Sequence, residues 1–453
     1  MKQMFRSAIV PAYVLLAIVL GGSVQGAWGV AILHVLAIAI IGWSLLAKDA
    51  LPLSGSAKAL FVIAGLTVLV ALIQLIPLPP VLWGALPGRE PVVEGFRLLG
   101  QPLPALPISL TPYDTATTIL TVLPPFAVLT GMLVAGAYRA SWLAIAILIG
   151  TFAAVLLGAL QVGNSTQSES AWYLYSITNY GVATGFFANS NHMAALLVIS
   201  VPFLFALIAD LRRRARNQRA GSAVLLVAVA GILVLLVGIF LNGSLAVLLL
   251  GPAVVLTSAT MLLPDKMRLR GPLSVVALAS IAAILAVYLT PLNDKFTASN
   301  STSFETRRTM WSTTIPAIGD NAPLGSGVGS FEQVYPRYED PATVSATFVN
   351  HSHNDYLEIA LETGVPGVLL LIAFLLWWGR RAVPIWRSAA VDRYALAGSI
   401  ASAAMLVHSL VDYPLRTATL SAIMAVCLAL MARPRPREKD GEDLWPTTRH
   451  EAV

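Results

Sequence analysis

Two histidines, two asparagines, an aspartate and a tyrosine stand together in the stretch NHSHNDYLEIALETG of an otherwise apolar chain. His351, His353 and Asp355 alternate along this stretch, which leaves two kinds of chemistry open. One is a metal site, although the run lacks the helical ligand spacing of HExxH zinc enzymes. The other is acid–base catalysis. A helix that begins near Asn354 places its positive end at His353, and this favours a neutral imidazole that accepts a proton.

The same stretch also has a purely structural interpretation. Asn354 or Asp355 can cap the helix that follows, and Asp355 can also orient an imidazole ring. His351 and Tyr356 are then supporting neighbours, and a histidine here merely forms a hydrogen bond. Spacing alone does not separate the catalytic and the structural interpretation.

A second polar motif, ETRRTMWSTTIPAI, lies upstream, and its apolar spacing predicts a helix over 305–318. Arg307 and Arg308 fall in the predicted first turn, where the helix dipole disfavours cations. Together with neighbouring backbone donors they would form an anion site. The alternatives are an ordinary ion pair with Glu305 and snorkelling toward lipid headgroups.

Between these motifs, three glycines alternate in PLGSGVGSF, at positions 325, 327 and 329. The pattern resembles a phosphate-cradling loop, but no Lys-Ser/Thr follows it and no predicted strand precedes it. We favour a tight turn that returns the chain to the membrane.

Two more groups of polar residues stand at the ends of apolar segments. Asn189 and Asn191 stand at the start of a predicted span and either cap its helix or line the same external cavity. His408, Asp412 and Arg416 lie near the outer end of another span. Ionisable groups at that depth are functional candidates by default, although Asp412 and Arg416 can equally form a structural ion pair.

The composition shows that a membrane protein must position these residues. The chain has 453 residues, of which 57% are hydrophobic and 11% charged, where a soluble domain carries about 25% charge. Its single cysteine, Cys427, supports neither an internal disulfide nor a cysteine-based zinc site. Because a spanning helix needs roughly 20 apolar residues, we predict an all-α integral membrane protein with about twelve transmembrane helices, near 7–22, 27–47, 58–78, 115–136, 141–161, 190–210, 222–241, 244–263, 273–290, 364–379, 394–411 and 417–432.

Charge predicts the sidedness of these spans. With the N-terminus inside, 22 of the 29 Lys and Arg residues fall on inner segments and 7 on outer ones, whereas 9 acids fall inside and 14 outside. Both termini are therefore predicted to be cytoplasmic. The basic run LRRRARNQRA is interpreted as an anchor at anionic lipid headgroups and not as a nucleic-acid site.

The predicted layout is one polytopic domain over 1–432, followed by a disordered cytoplasmic tail over 433–453. Three long segments lie outside, at about 79–114, 162–189 and 291–363, and the last and longest connects spans 9 and 10. An enzyme at that face has no access to ATP or nucleotide sugars, so it must use an energised group carried by lipid or catalyse hydrolysis.

These motifs resemble the signature region of the O-antigen ligase and O-antigen polymerase superfamily. The similarity lies in ETRRTMWSTTIPAIGDNAPLGSGVGSFEQVY, in HSHNDYLEIALETGVPGVLLL and, upstream, in GFFANSNHMAALLVISVPF. It is strong over about 180–430 and mainly topological before that.

The resemblance implies a GT-C-like bacterial glycosyltransferase of the inner membrane, with its active site facing the periplasm. Such enzymes transfer a glycan from undecaprenyl diphosphate to a glycan or lipid A-core acceptor, with inversion and without metal or cofactor. The implied pathway is lipopolysaccharide or exopolysaccharide biosynthesis, with membrane lipids and polysaccharide assembly machinery as partners and no nucleic acid. The alternatives are a polysaccharide flippase or transporter and a non-enzymatic export subunit.

Carried over by motif, Arg307 matches the family's arginine that grips the diphosphate. His353 matches the histidine proposed as the base for the acceptor hydroxyl. One departure is that Ser244 is followed by Leu245, where many relatives have a second phosphate-binding arginine. Arg308, Arg416 or Arg97 would have to replace it, or diphosphate binding is weaker or the donor differs.

Overall fold

The computed structural model describes residues 2–163, 171–215, 217–263, 292–342, 344, 348–388 and 392–433. Within these ranges the chain is nearly all helical, as predicted. The helices are α1 (Lys2–Leu20), α2 (Ala27–Leu46), α3 (Gly55–Ile73), α4 (Pro80–Gly84), α5 (Glu90–Leu98), α6 (Pro112–Leu120), α7 (Leu123–Leu133), α8 (Ala140–Gly163), α9 (Ser190–Arg214), α10 (Gln218–Asn242), α11 (Leu245–Ala259), α12 (Leu292–Asp320), α13 (Phe331–Val334), α14 (Asp355–Arg387), α15 (Arg393–His408) and α16 (Ala418–Ala432). Strands β1 (Pro77–Leu78) and β2 (Leu106–Pro107) pair antiparallel.

In the part of the chain so described, eight helical segments are long and apolar enough to cross a membrane. Three further predicted spans correspond to the shorter helices α11, α15 and α16. The predicted span near 273–290 and the tail from 434 lie outside the described residues. The count of twelve spans, the sidedness and the division into one domain and a tail therefore stay predictions.

The span near 115–136 is predicted as one helix, but in the structure it is broken into α6 and α7. Helix α7 begins at Leu123 with prolines in its first turn. Proline lacks the backbone N–H that a continuing helix needs, but it is well suited to a first turn. Pro124 therefore starts a new helix instead of extending α6.

Successive long helices run between two ends of the bundle, and contacts between distant segments hold each end. At the end where the chain begins, Arg6 lies 3.7 Å from Asp49, and Nε of Arg381 donates to the carbonyl of Met431 (2.8 Å). At the opposite end, the segments predicted to be external pack on one another. That second end contains the histidine motif.

Arg89 fastens the first external segment to the third. Its side chain is buried and donates to Ile108 O (2.6 Å), Asn321 Oδ1 (3.0 Å) and Gly325 O (3.0 Å). Burial lowers the pKa of Arg89 to about 10, so it remains charged at neutral pH. A buried cation that donates to oxygen acceptors in both segments makes these two segments one packed layer.

A kink at Gly364 divides α14 into an outer part, 355–363, and a longer part that continues to Arg387. Gly364 has φ of 59°, and a Cβ there would lie 2.1 Å from the carbonyl oxygen of Pro323. Only glycine meets both conditions. The kink gives the outer part, which carries the buried acidic residues Asp355, Glu358 and Glu362, a different direction from the longer apolar part.

Candidate active site

The histidine motif forms a short loop that ends at the start of α14. Asn354 is the N-cap, and its side chain accepts from the backbone of Tyr356 (3.0 Å) and Leu357 (3.1 Å). The predicted helix start is therefore confirmed. His353, directly before the cap, has φ of 50°. This left-handed conformation costs a non-glycine residue about 1–2 kcal/mol and concentrates at functional sites.

Glu358, one turn into α14, holds the loop back against its own helix. Its buried carboxylate accepts from the backbone N–H of Ser352 (3.1 Å) and lies 2.7 Å from Nδ1 of His351. The hydroxyl of Ser352 in turn donates to the carbonyl of Asn354 (2.8 Å). These bonds set the direction in which both imidazoles leave the backbone.

His353 faces a second buried carboxylate, that of Asp412 in the connection between α15 and α16. Its Nδ1 lies 3.3 Å from Oδ1 of Asp412, and Nε2 of His408 lies 3.9 Å from Oδ2. Burial alone would raise the pKa of Asp412, but His353 and the imidazoles of His192 and His408 together hold it well below its ordinary range. Asp412 is therefore ionised at neutral pH and faces an imidazole.

Tyr413 stands between the two histidine–carboxylate pairs. Its ring centroid lies 4.1 Å from that of His351, 4.9 Å from that of His353 and 5.0 Å from that of His192. Burial and the charge of Asp412 raise the pKa of Tyr413 to about 12. The hydroxyl is therefore protonated at neutral pH, and it accepts a long hydrogen bond from Asn189 (3.5 Å).

Arg416 is surrounded by three carboxylates from the outer part of α14. Its guanidinium lies 3.2 Å from Glu358, 3.2 Å from Glu362 and 3.7 Å from Asp355. Burial would lower the pKa of Arg416, but these carboxylates raise it above its ordinary value. Asp355 also accepts from the hydroxyl of Ser409 (2.7 Å). The expectation that Asp355 orients an imidazole is wrong, because Asp412 and Glu358 occupy those positions.

The predicted helix over 305–318 exists, but it begins much earlier, at Leu292. Arg307 and Arg308 therefore lie in the middle of α12 and not in its first turn. The backbone N–H groups around them belong to the helix, so the expected helix-terminus anion site is wrong. Any anion binding here must come from the side chains alone.

Trp311 connects α12 to the histidine loop. Its indole N–H donates to the carbonyl of Ser352 (3.1 Å). Arg307 lies one turn earlier on the same face and acts electrostatically on His408. Arg308 is exposed, and its guanidinium lies 3.9 Å from Glu305. The structure thus brings Arg307 to the His353 side of the site, whereas Arg308 forms the surface pair that was the alternative interpretation.

A family model described as O-antigen ligase matches residues 230–372. The resemblance to the O-antigen ligase and polymerase superfamily is confirmed. No curated protein matches the chain significantly. The matched region spans about a third of the chain and includes Arg307, Trp311 and the histidine loop. Together with the eight apolar helices found among the described residues, it indicates a multi-pass membrane protein with a region similar to O-antigen ligases.

The structure places Asn189 and Asn191 beside this O-antigen ligase region, although both precede the match. Asn189 is the N-cap of α9, with its side chain accepting from the backbone of Asn191 (2.8 Å). The side chain of Asn191 accepts from the hydroxyl of Ser244 (2.9 Å). Asn189 therefore both caps α9 and contacts the site through Tyr413. Tyr356 instead braces α14, since its hydroxyl donates to Leu406 O (2.7 Å).

The glycine-rich loop does not offer its backbone to a phosphate. The amide of Ser326 donates to Leu361 O, that of Gly327 to Glu362 O and that of Val328 to the side chain of Gln74. These bonds fasten the loop over the kink of α14. The favoured interpretation as a turn is consistent with them.

Sequence reasoning missed Glu358, Glu362 and Tyr413. A signal for the two glutamates existed, since Asp355, Glu358 and Glu362 lie on one face of a helix and the outer segments contain few basic residues to pair with them. No comparable signal marked Tyr413. Within the residues that the structure describes, no cluster of His, Cys, Asp or Glu side chains is arranged to hold a metal ion. Metal independence stays a prediction.

Proposed function

We propose that this protein transfers a glycan from an undecaprenyl-diphosphate carrier to an acceptor sugar hydroxyl, as an O-antigen ligase or as an O-antigen or exopolysaccharide polymerase. The observation that supports this best is the pairing of His353 with the buried, ionised Asp412, 3.3 Å away. Trp311 connects the loop that carries His353 to the helix that carries Arg307. A base and a cation are thereby held near each other.

In this proposal His353 is the catalytic base. Its Nδ1 faces Asp412, which leaves Nε2 for the acceptor hydroxyl. As the hydroxyl oxygen bonds to the anomeric carbon of the donor, its proton passes to Nε2. The bond from that carbon to the phosphate oxygen breaks, and the diphosphate leaves with the electron pair. Direct displacement inverts the anomeric carbon, and a base of this kind typically contributes roughly 10²–10⁴-fold.

Arg307 binds the diphosphate and stabilises the negative charge that grows on it. Arg308 is exposed and can join when the donor is bound. Arg416 acts indirectly, because three carboxylates already surround its guanidinium. It positions Glu358 and, through Glu358, His351. These groups are supported by Asn189, Asn191, Asn354, Asp355 and Tyr356.

The reaction is tested with purified protein, a lipid-linked oligosaccharide and an acceptor glycan. His353→Ala and Arg307→Ala are expected to fold and insert but to lose transfer. His34→Ala, on α2 and away from the site, is the matched control. Full transfer by His353→Ala would overturn the base assignment. Movement of substrate across vesicles without a new glycosidic bond would indicate a flippase instead.

We further propose that the site faces the periplasm of the bacterial inner membrane and that both termini are cytoplasmic. Single cysteines in a Cys427→Ser background test this. Leu99→Cys, on the exposed surface of the first external segment, is expected to react with a membrane-impermeant maleimide in intact spheroplasts. Lys48→Cys, at the other end of the bundle, is expected to react only after lysis. The reverse pattern would invert the topology.

A further inference from the structure

A cavity of about 460 Å³ opens among α3, α6, α7, α14 and α16, and neither His353 nor Tyr413 lines it. Most of its lining is apolar, including Val68 and Ala71 on α3, Leu370 and Phe374 on α14, and Met424 and Leu428 on α16. Its polar end is formed by Asp355, Glu362 and Arg416. The cavity thus has the shape of an amphiphile's site, with an apolar part and one charged end.

The depth of the apolar part matches one leaflet of a bilayer. Beyond the kink, from Val365 to Phe374, α14 rises about 14 Å at 1.5 Å per residue. One leaflet contributes about half of a hydrocarbon core that is about 30 Å thick. An acyl chain of an ordinary phospholipid therefore suits this cavity, because its head would lie at the Glu362 end and its tail would reach the bilayer midplane.

Glu362 indicates which head the lipid carries. The side chain is 2% exposed, and Oε2 accepts from Arg416 (3.2 Å). Among the residues that the structure describes, Oε1 has no hydrogen-bond partner. A buried carboxylate oxygen left unpaired is costly, so a ligand that fills this cavity gains by donating a hydrogen bond to it.

The surrounding groups disfavour an anionic head. Three carboxyl groups, those of Asp355, Glu358 and Glu362, face one guanidinium, that of Arg416. A diphosphate would meet this acidic cluster at short range. A primary ammonium instead brings both a positive charge and N–H donors.

We propose that this cavity binds a phospholipid with a primary ammonium head, such as phosphatidylethanolamine, with its ammonium on Glu362 and one acyl chain along α14. This site is separate from that of the diphosphate donor. The bound lipid fills the space between α3 and α16 and completes the hydrogen bonding of Glu362.

The test is native mass spectrometry of delipidated protein with three lipids of identical acyl chains. Phosphatidylethanolamine offers charge and N–H donors, phosphatidylcholine offers charge without N–H donors, and phosphatidylglycerol offers hydroxyl donors with net negative charge. We expect phosphatidylethanolamine to bind about tenfold more tightly than either of the others, which corresponds to one charge-assisted hydrogen bond. Equal binding of all three, or preference for phosphatidylglycerol, would overturn the proposal.

Two variants locate the lipid. Glu362→Gln is expected to abolish the preference for phosphatidylethanolamine while some lipid still binds. Val68→Phe fills the cavity and is expected to reduce occupancy by every lipid, whereas its neighbour Leu69→Phe, on the exposed face of α3, is expected to bind as the unmodified protein does. Unchanged head preference in Glu362→Gln would contradict the site. Because these readouts measure lipid and not transfer, they are independent of the glycosyltransferase proposal.

Discussion

The two sides of Tyr413 are built from the same parts but are connected differently. On each side an imidazole faces a buried carboxylate: His353 faces Asp412, and His351 faces Glu358. The second pair is local, since its members are seven residues apart in one loop and helix. The first joins segments that are far apart in the chain, and it is complete only when the α15–α16 connection has packed against the histidine loop.

The surroundings differ as well. Asp412 has imidazoles as neighbours and receives no arginine within ion-pair distance among the described residues. Glu358 is held by Arg416 and by the backbone of Ser352. A carboxylate that is fully engaged fixes structure, whereas one that mainly faces an imidazole can stabilise that ring when it becomes charged. The difference assigns catalysis to the His353 side and support to the His351 side.

The largest expected effect separates the two histidines. His353→Ala is expected to lower the rate of glycan transfer by roughly 10²–10⁴-fold, since the base is removed. His351→Ala is expected to lower it by less than about tenfold, because a supporting hydrogen bond is worth about 1 kcal/mol. Steady-state transfer rates of purified variants measure both. Equal losses would mean that the two sides act as one unit.

The second prediction concerns stability, for which the His351 side is expected to matter more. Glu358→Gln is expected to destabilise the protein by about 3 kcal/mol, because it removes one partner from a buried ion-pair network. The exposed Glu305 supplies the control, and Glu305→Gln is expected to change stability by less than about 0.5 kcal/mol. Thermal unfolding in detergent measures both. A Glu358→Gln protein as stable as the control would show that the His351 side is not a structural clamp.

Much of this comparison was accessible from the sequence, but not its decisive part. The apolar runs predicted most of the helices, and the Asn354 cap followed from residue type and local spacing. The start of α12 did not, because residues 292–304 lack an apolar face that would mark a helix. The prediction that Arg307 lies in the first turn of a helix is wrong for that reason.

Long-range pairing was the other limit. The sequence marks Asp412 as an ionisable group near a span end, but spacing leaves open whether it pairs with Arg416. In the structure Arg416 turns to three carboxylates of α14, and Asp412 faces His353. Which acid meets which base depends on how the α15–α16 connection packs against the histidine loop, and one sequence does not contain that information.

A smaller effect concerns pH. The pKa of Asp412 is depressed in the folded protein, so its ionisation stabilises the fold above the unfolded value of about 3.9. That contribution is lost as pH falls below this value toward the folded pKa. Between pH 5 and 8 Asp412 therefore adds no pH dependence to the free energy of unfolding. Below about pH 4 the unmodified protein is expected to lose thermal stability more steeply than Asp412→Asn. If the thermal stability of both proteins falls equally steeply with pH, the depressed pKa belongs to another group.

The smallest expected effect concerns Tyr413 itself. Its hydroxyl is protonated at neutral pH, because its pKa is about 12, and its bond to Asn189 is long at 3.5 Å. Tyr413→Phe keeps the ring contacts with the imidazoles, so transfer is expected to fall by no more than about threefold, within the range of one weak neutral hydrogen bond. Tyr413→Leu removes the ring and is expected to cost more. If Tyr413→Phe loses as much as His353→Ala, the hydroxyl takes part in proton transfer and the two sides are not separate.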